Sequence, residues 1–149
     1  MSALGKIKEN FPDLPIFEKS GRRVFVEVSP GRAKELARFV YNELGARFST
    51  ASGLDTRAGV EILYHLAIDR EGLLVSLRVL VPKPELKMQS FFDIMPAVEW
   101  VEREIHEMLG VDFTGHPNLK RLLLPDDWPE GVYPFRKKTF ESEKEVTEK

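Results

Sequence analysis

The chain has no cysteine among its 149 residues. Without thiols it cannot form disulfide bridges, thiolate zinc sites, cysteine-ligated iron–sulfur clusters or a cysteine nucleophile. Only three histidines are present, at positions 65, 106 and 116, so few imidazoles are available as metal ligands. The lack of cysteine also favours an intracellular protein.

Neither sign of charge dominates, because 22 lysines and arginines are balanced by 24 aspartates and glutamates. Such a chain lacks the positive field that binds nucleic acid non-specifically, and we expect no nucleic-acid partner. No stretch approaches the ~18 consecutive apolar residues of a transmembrane helix. Residues 1–11 lack the continuous apolar core of a signal peptide. We therefore expect a cytoplasmic protein with no direct membrane insertion.

Common catalytic motifs are missing as well. The sequence has no GxSxG elbow and no HExxH pair, and "SPGRAK" at 29–34 is typical of a strand-to-helix turn. A zinc site made from His106, His116 and an acid would lack the usual ligand spacing. His65 alternates with Tyr64 on a predicted strand, which favours a hydrogen-bonded structural role. The sequence thus predicts no catalytic, cofactor-binding or metal-binding residue.

Hydrophobic periodicity predicts one α+β domain with a mixed β-sheet, flanking helices and an extended C-terminal segment. The predicted order of strands and helices is βαβββα. Three alternating valines in 24–28 predict a strand. A helix is expected from Pro30 to about Leu44, with Ser29 as its N-cap and Gly45 ending it. "ARFSTAS" at 46–52 predicts the second strand. Alternation over 60–68 and 73–79, with "DREG" between them, predicts a hairpin.

Three ranges are predicted along the chain. Residues 1–20 form an N-terminal extension with a short helix ended by prolines, 21–137 form the core domain, and 138–149 form a charged, frayed tail. Ser90 followed by Asp93 resembles a capping box. We expect the main helix to run from Pro96 to Leu109 and to close at Gly110.

The densest group of ionisable residues is "EREIHEMLGVDFTGHPNLKRLLLPDDW", residues 102–128. On a helical wheel at ~100° per residue, the apolar face is expected to contain Ala97, Val98, Val101, Ile105, Met108 and Leu109. The polar side is expected to contain Glu99, Glu102, Arg103, His106 and Glu107. The spacing of Glu99, Arg103 and Glu107 predicts a ladder of exposed charge pairs.

Glu104 is predicted to lie between Trp100 and Met108, inside or at the edge of the apolar face. A carboxylate there would need a partner, because burying it unpaired is costly. The available cations are Lys120, Arg121 and Arg136. Two interpretations remain open, an internal ion pair and a contact across an interface.

The stretch after the helix is typical of a protein interface. His116 is held extended by Pro117. Several leucines follow, at 119 and 122–124, with charged residues and an aromatic around them. An apolar, charge-rimmed segment with a tryptophan favours a contact surface for another protein. The alternative is that the leucines pack back on the sheet of the same domain.

These residues resemble the signature of the thirty-kilodalton subunit family of respiratory complex I, or NADH dehydrogenase. The family includes the homologous subunit of membrane-bound, energy-converting nickel–iron hydrogenases. The resemblance is carried by "ERE" at 102–104, Glu107, His116, Lys120 and the leucines at 122–123, and it extends over residues 22–137. The run "PFRKKTF" departs from the usual family ending, "PLRKDY", at positions 138–140.

The resemblance implies a non-catalytic structural and assembly subunit on the cytoplasmic, inner face of the cell membrane. Its implied partners are a large subunit related to the nickel–iron hydrogenase large subunit, a small iron–sulfur subunit and a membrane arm. Iron–sulfur clusters, and nickel–iron in a hydrogenase, are expected on those partners and not on this chain. The residues implied in the signature and in docking are Glu102, Arg103, Glu104, Glu107, His116, Pro117, Lys120, Arg121, Asp126 and Trp128.

Three functions compete at this point. The short, charged chain favours an energy-converting hydrogenase or a ferredoxin-linked relative. The alternative is a complex I-type quinone oxidoreductase that takes electrons from NADH or another donor. A small metal-dependent hydrolase using Glu102, Glu104 and His106 is the third hypothesis, and it requires those side chains to converge on one pocket.

Overall fold

A computed structural model of the protein describes residues 1–138 and residue 140. Its main sheet has five strands, β1 (Ile16–Ser20), β2 (Arg23–Val28), β3 (Arg47–Asp55), β4 (Gly59–Ile68) and β5 (Leu73–Pro82). Their order is β1-β2-β5-β4-β3, with β2 and β5 parallel and the other neighbours antiparallel. The predicted mixed sheet is confirmed.

The other elements are three helices and a second, small sheet. The helices are α1 (Ala3–Asn10), α2 (Pro30–Arg38) and α3 (Glu99–Leu109). Helix α2 continues as a π-helical turn over Phe39–Glu43, and a 3₁₀ turn over Pro96–Val98 leads into α3. The small sheet pairs β6 (Lys87–Gln89) in parallel with β7 (Asp112–Thr114).

The predicted hairpin is the centre of the core. Every second residue of β4 and of β5 is buried on one face of the sheet, because strand side chains alternate between faces. A short 3₁₀ turn over Asp69–Glu71 joins the strands, and Gly72 closes it in the left-handed region at φ 59°. Helices cover only this buried face, and the opposite face of the sheet carries half-exposed and exposed side chains apart from the buried Ser76.

Helix α2 begins at Pro30 as predicted, with Ser29 before it at the N-cap position. Its apolar stripe is buried, and Gly45 follows it with φ 65°. The residues of that stripe are Ala33, Leu36, Ala37, Val40 and Leu44. Ser29 precedes the helix in an extended conformation, but its side chain makes no capping hydrogen bond.

Residues 1–20 contact the same core. Ala3, Ile7 and Phe11 are buried, the Ala3 N–H donates to the carboxylate of Glu71, and β1 pairs with β2. The strands β1, β6 and β7 were not predicted, because each has five residues or fewer and none has a clear alternating pattern. The predicted tail over 138–149 lies outside the described residues except for Lys138 and Phe140.

The predicted capping box at Ser90 is wrong, because α3 begins only at Glu99. The Ser90 hydroxyl instead accepts the Phe92 N–H, and Asp93 pairs with Lys34 at 2.8 Å. Among the described helices, none has the length and apolarity needed to cross a bilayer.

Candidate functional site

Glu102 is buried between α3 and the sheet, so its predicted exposed position is wrong. Its side chain is 0% exposed. It accepts hydrogen bonds from the Tyr64 hydroxyl at 2.9 Å, the Ser90 hydroxyl at 2.5 Å and the Phe91 N–H at 3.1 Å. A carboxylate is tolerated inside a core when such donors surround it.

The surroundings of Glu102 favour its protonated form. Burial raises the pKa of Glu102, although the hydrogen bonds from Ser90, Phe91 and Tyr64 act in the opposite direction. Burial also raises the pKa of Tyr64 well above its ordinary value, with the nearby Glu102 carboxylate adding to the shift. This cluster ties the central strand β4, the loop before α3 and α3 itself together inside the core.

Glu107, also predicted on the solvated side, is buried under the segment that follows β7. Its two carboxylate oxygens accept three consecutive backbone N–H groups, those of Leu122 at 3.2 Å, Leu123 at 2.9 Å and Leu124 at 2.9 Å. Burial alone would raise the pKa of Glu107, but these three bonds and the Arg121 guanidinium outweigh it and lower the pKa.

Arg103 bonds to the same segment just before the three leucines that Glu107 holds. Its guanidinium donates to the backbone carbonyls of Lys120 at 3.0 Å and Arg121 at 2.9 Å. The predicted ladder of Glu99, Arg103 and Glu107 is therefore wrong. The segment 116–124 lies along this face of α3. Because its backbone N–H and C=O groups are not paired in a β-sheet, they form hydrogen bonds with the charged side chains of the helix instead.

Two histidines fix the ends of this arrangement. The His116 Nε2 donates to the Glu99 carbonyl at 2.9 Å, and its Nδ1 accepts the Asn118 N–H at 3.0 Å, which requires the neutral imidazole. The His106 Nδ1 donates to the Val111 carbonyl at 2.7 Å. Both rings thus serve to hold backbone in place.

His65 has the structural role predicted for it. Its Nδ1 lies 2.6 Å from the Ser76 hydroxyl on the neighbouring strand. Burial lowers the pKa of His65, and the charge of Arg23 adds to that shift. The pair holds β4 to β5 on the open face of the sheet.

Arg121 folds the next part of the chain into a compact loop. Its guanidinium donates to the carbonyls of Pro125, at 2.6 Å, and of Trp128. The Trp128 indole N–H donates to the Val132 carbonyl at 2.8 Å, and the ring is half-buried.

Between this loop and the C-terminal half of α3 lies a cavity of about 670 Å³. The remaining predicted docking residues Pro117, Lys120 and Asp126 are exposed.

Glu104 is exposed, so the burial considered for it is wrong, but it does lie at the edge of the apolar face, where it lines a groove with Val101 and Met108. The centre of that face, at Ile105 and Leu109, is about 100–140° around the helix from Glu104 at ~100° per residue. Met108 is only about 40° away from it. In the described part of the chain no ion pair involves its carboxylate. Glu104 is thus available to solvent or to a partner.

The predicted leucine segment divides into inward and outward residues. Leu119 and Leu124 are partly buried against the core, as in the alternative interpretation. Leu123 is 60% exposed, and Trp100 on α3 and Phe135 after the loop are 65% and 61% exposed. Phe135 is held in place because its N–H donates to the Met108 carbonyl at 3.0 Å.

A buried carboxylate that sequence reasoning missed anchors the C-terminal segment. Asp55, at the end of β3, has a fully buried side chain that pairs with Lys83 at 2.6 Å. Its other oxygen accepts the Lys137 N–H at 2.7 Å, and Arg136 lies near while donating to the Leu109 carbonyl at 3.2 Å. The sequence carries no local signal for this role, because Asp55 ends a strand as many turn residues do.

The three groups of the hydrolase hypothesis do not converge. Glu102 points into the core, Glu104 faces solvent, and the His106 ring is bonded to Val111. Within residues 1–138 and 140, no cluster of three or more histidine, aspartate or glutamate side chains could hold a metal ion.

The chain is similar to known proteins over the region that contains these residues. The family model for "Respiratory-chain NADH dehydrogenase, 30 Kd subunit" matches residues 26–145. The chain is 36% identical over 140 residues to the membrane-bound hydrogenase subunit beta of Pyrococcus furiosus, covering 88% of this chain and 80% of that protein. It is 31% identical over 139 residues to a subunit of the F(420)H(2) dehydrogenase of Methanosarcina mazei, covering 91% of this chain and 86% of that protein.

A solved structure has the same fold. One protein chain of the membrane-bound sulfane sulfur reductase, an archaeal respiratory membrane complex, superposes with a TM-score of 0.82 at 25% identity. The superposition covers 97% of this chain and 87% of that one. The similarity therefore includes the sheet, α3 and the segment that Arg103 and Glu107 hold.

Proposed function

The chain belongs to the family of the 30 Kd subunit of respiratory-chain NADH dehydrogenase, and on that premise we propose that it is a non-catalytic structural subunit. The family and the relatives make it a 30 kDa-type subunit of complex I or of a related hydrogenase complex. Its proposed role is to dock on the large subunit related to the nickel–iron hydrogenase large subunit. The small iron–sulfur subunit and the membrane arm are further proposed partners.

One observation carries this proposal. The charged signature residues Arg103 and Glu107 bond to backbone groups of residues 120–124. Side chains committed in this way are not free to transfer protons to a substrate or to bind a metal. They instead give the extended segment a fixed shape, which a docking surface needs because ordering on binding reduces affinity.

The proposed docking surface, here named the α3 face, consists of Trp100, Glu104, Leu123 and Phe135. Trp100 lies one helical turn before Glu104, and Leu123 is bonded to Glu107, one turn after it. Phe135 lines the same groove as Glu104. Exposed large apolar side chains around one carboxylate are the composition expected of an interface centre.

An energy-converting hydrogenase or a ferredoxin-linked relative is the complex we favour. The relative with 36% identity is named as a hydrogenase subunit, and the superposed chain comes from an archaeal respiratory membrane complex. A complex I-type quinone oxidoreductase is the alternative, supported by the family description and by the dehydrogenase relative. In either case we propose that the subunit is peripheral on the cytoplasmic face of the membrane.

The test is affinity purification of the tagged chain from its native membranes, with partner subunits identified by mass spectrometry. We expect the large subunit to be recovered with the wild-type chain. The triple variant Trp100→Ala, Leu123→Ala, Phe135→Ala should recover at least about tenfold less, because interface anchors each contribute on the order of 1 kcal/mol or more. Thermal denaturation should show little change, since all three side chains are exposed.

The matched control is Phe17→Ala with Leu80→Ala. Phe17 is 63% exposed, about as much as Phe135, but it lies on the far strand β1. Recovery should be unchanged in this control. Equal recovery with the α3-face variant and the wild type would refute docking through this surface. Nickel together with iron in the purified complex would identify a hydrogenase, and iron without nickel would indicate the complex I-type alternative or a ferredoxin-linked relative.

A further inference from the structure

The strand β3 is an open edge of the main sheet. It pairs only with β4, and no described backbone group outside that pairing bonds to residues 47–54. Its nine residues make it longer than β1, the strand at the other edge, which has five. A free edge of this length presents a row of unpaired N–H and C=O groups to any extended chain.

The two edges differ in how they are protected. Strand β1 carries Glu18 and Lys19 and an irregular register, features that discourage pairing with another strand. Strand β3 has no charged residue and no proline from Phe48 to Leu54, and its register shift comes at the beginning, between Phe48 and Thr50. The rest of β3 therefore lacks the devices that keep an edge unpaired.

A groove runs beside this edge. It has a volume of about 210 Å³ and lies between β3 and α3. Gly53 permits the close approach of the helix, because a Cβ at that position would lie 2.5 Å from the Leu109 Cδ1. The groove is lined mainly by apolar atoms of Ala51, Val101, Met108 and Phe135, and among its described lining residues Glu104 is the one charge.

We propose that β3 and this groove accept an extended segment of a partner subunit, which adds a sixth strand to the sheet beside β3. The backbone of that segment would pair with β3, and alternate side chains would enter the groove. Charge complementarity calls for apolar side chains along the segment and one lysine or arginine opposite Glu104. This inference rests on the proposed function, since it specifies how a partner contacts part of the α3 face.

A second copy of the chain fits the same edge less well. Pairing of two β3 strands about a two-fold axis would put both α3 helices on the same side of the joined sheet. Two Glu104 carboxylates would then face one gap without a cation between them. A basic segment of a different protein removes that repulsion.

The experiment compares hydrogen–deuterium exchange of β3 in the isolated chain and in the complex purified from native membranes. We expect the outward-facing amides of residues 49–54, those that do not bond to β4, to exchange at least about tenfold more slowly in the complex, because new ladder bonds protect them. Amides of β1 serve as the internal reference and should change much less. The molecular mass of the isolated chain is measured alongside, and a monomer is expected.

Two charge variants sharpen the test. Ser52→Lys adds a charge to the exposed edge, and Glu104→Lys reverses the charge of the groove. Each should lower recovery of the partner about fivefold or more, because like charges and a blocked edge disfavour pairing. The matched control Glu9→Lys makes the same reversal on the exposed side of α1 and should have no effect.

The outcomes separate this inference from the proposed function. If the large subunit is recovered but β3 exchanges at the same rate in both samples, strand addition is refuted and docking stands. A dimeric isolated chain with β3 already protected would also refute it, in favour of self-pairing. Failure of the wild-type chain to recover any partner subunit would overturn both proposals.

Discussion

Glu102 and Glu107 lie five residues apart on the same helix, and both are buried, yet their surroundings differ. Glu102 accepts bonds from Tyr64, Ser90 and Phe91 inside the core, and burial raises its pKa. Glu107 accepts three backbone N–H groups of a surface segment, and those bonds lower its pKa. Glu102 therefore holds parts of the domain together, and Glu107 fixes the shape of the surface segment that a partner would contact.

The largest effect is expected from Glu102→Ala. It leaves the donors of Tyr64, Ser90 and Phe91 without an acceptor inside the core, which should lower the free energy of unfolding by about 4 kcal/mol. Urea denaturation measures the loss. The exposed Glu104→Ala is the matched control and should change stability by less than about 0.5 kcal/mol. A similar loss in both variants would contradict the internal role of Glu102.

Glu107→Ala should cost less globally and more locally. Three backbone N–H groups lose their acceptor, but the segment near Leu123 can turn them toward water, so we expect a loss of about 1–2 kcal/mol. Hydrogen exchange at residues 122–124 should accelerate while the amides of β4 stay protected. If exchange in β4 accelerated as much as at residues 122–124, the local role of Glu107, and its contrast with Glu102, would be contradicted.

The pH dependence of the two contributions should have opposite signs. The folded pKa of Glu107 is lowered, so its contribution is complete above the ordinary carboxyl pKa of ~4.3 and is lost as pH falls through the folded value. The folded pKa of Glu102 is raised, so its contribution is largest at low pH and declines as pH rises through the folded value.

Urea midpoints measured between about pH 2 and pH 8 test these signs, because the Glu107 contribution changes only below the ordinary carboxyl pKa. The stability difference between wild type and Glu107→Ala should shrink toward low pH. The difference between wild type and Glu102→Ala should shrink toward high pH, by about 1.4 kcal/mol for each unit of pKa shift. Parallel profiles for the two variants would contradict the opposite shifts.

The smallest effect is expected from Arg103→Lys. The guanidinium reaches the carbonyls of Lys120 and Arg121 together, whereas a single ammonium cannot reproduce that fork. We expect a loss of about 0.5–1 kcal/mol, visible mainly as faster exchange in residues 120–124. An unchanged exchange pattern would mean that Glu107 alone holds the segment.

The alternating patterns predict most of the fold. The β4–β5 hairpin and the buried stripe of α2 are visible in the sequence because apolar residues repeat with the period of a strand or of a helix. The strands β1, β6 and β7 are not, because each is too short for a period to emerge. Tertiary pairing, and not local pattern, creates such strands.

The sequence identifies the candidate site as a set of residues, but not the role of each. The motif around Glu102, Arg103 and Glu107 is visible in the sequence, yet the helical wheel predicts Glu104 as the buried carboxylate. A wheel ranks residues by apolar character, so it cannot tell that a glutamate faces a buried tyrosine hydroxyl and two other donors.

The sequence by itself determined the family, the α+β class and the charged signature of α3, because motif spacing and hydrophobic periods are local properties of the chain. Only the tertiary structure decided which glutamate is buried, since that depends on Tyr64 of β4, 38 residues away in the chain. It also decided that Asp55 anchors the backbone of Lys137. Buried polar groups are satisfied by partners distant in sequence, and folding alone brings those partners together.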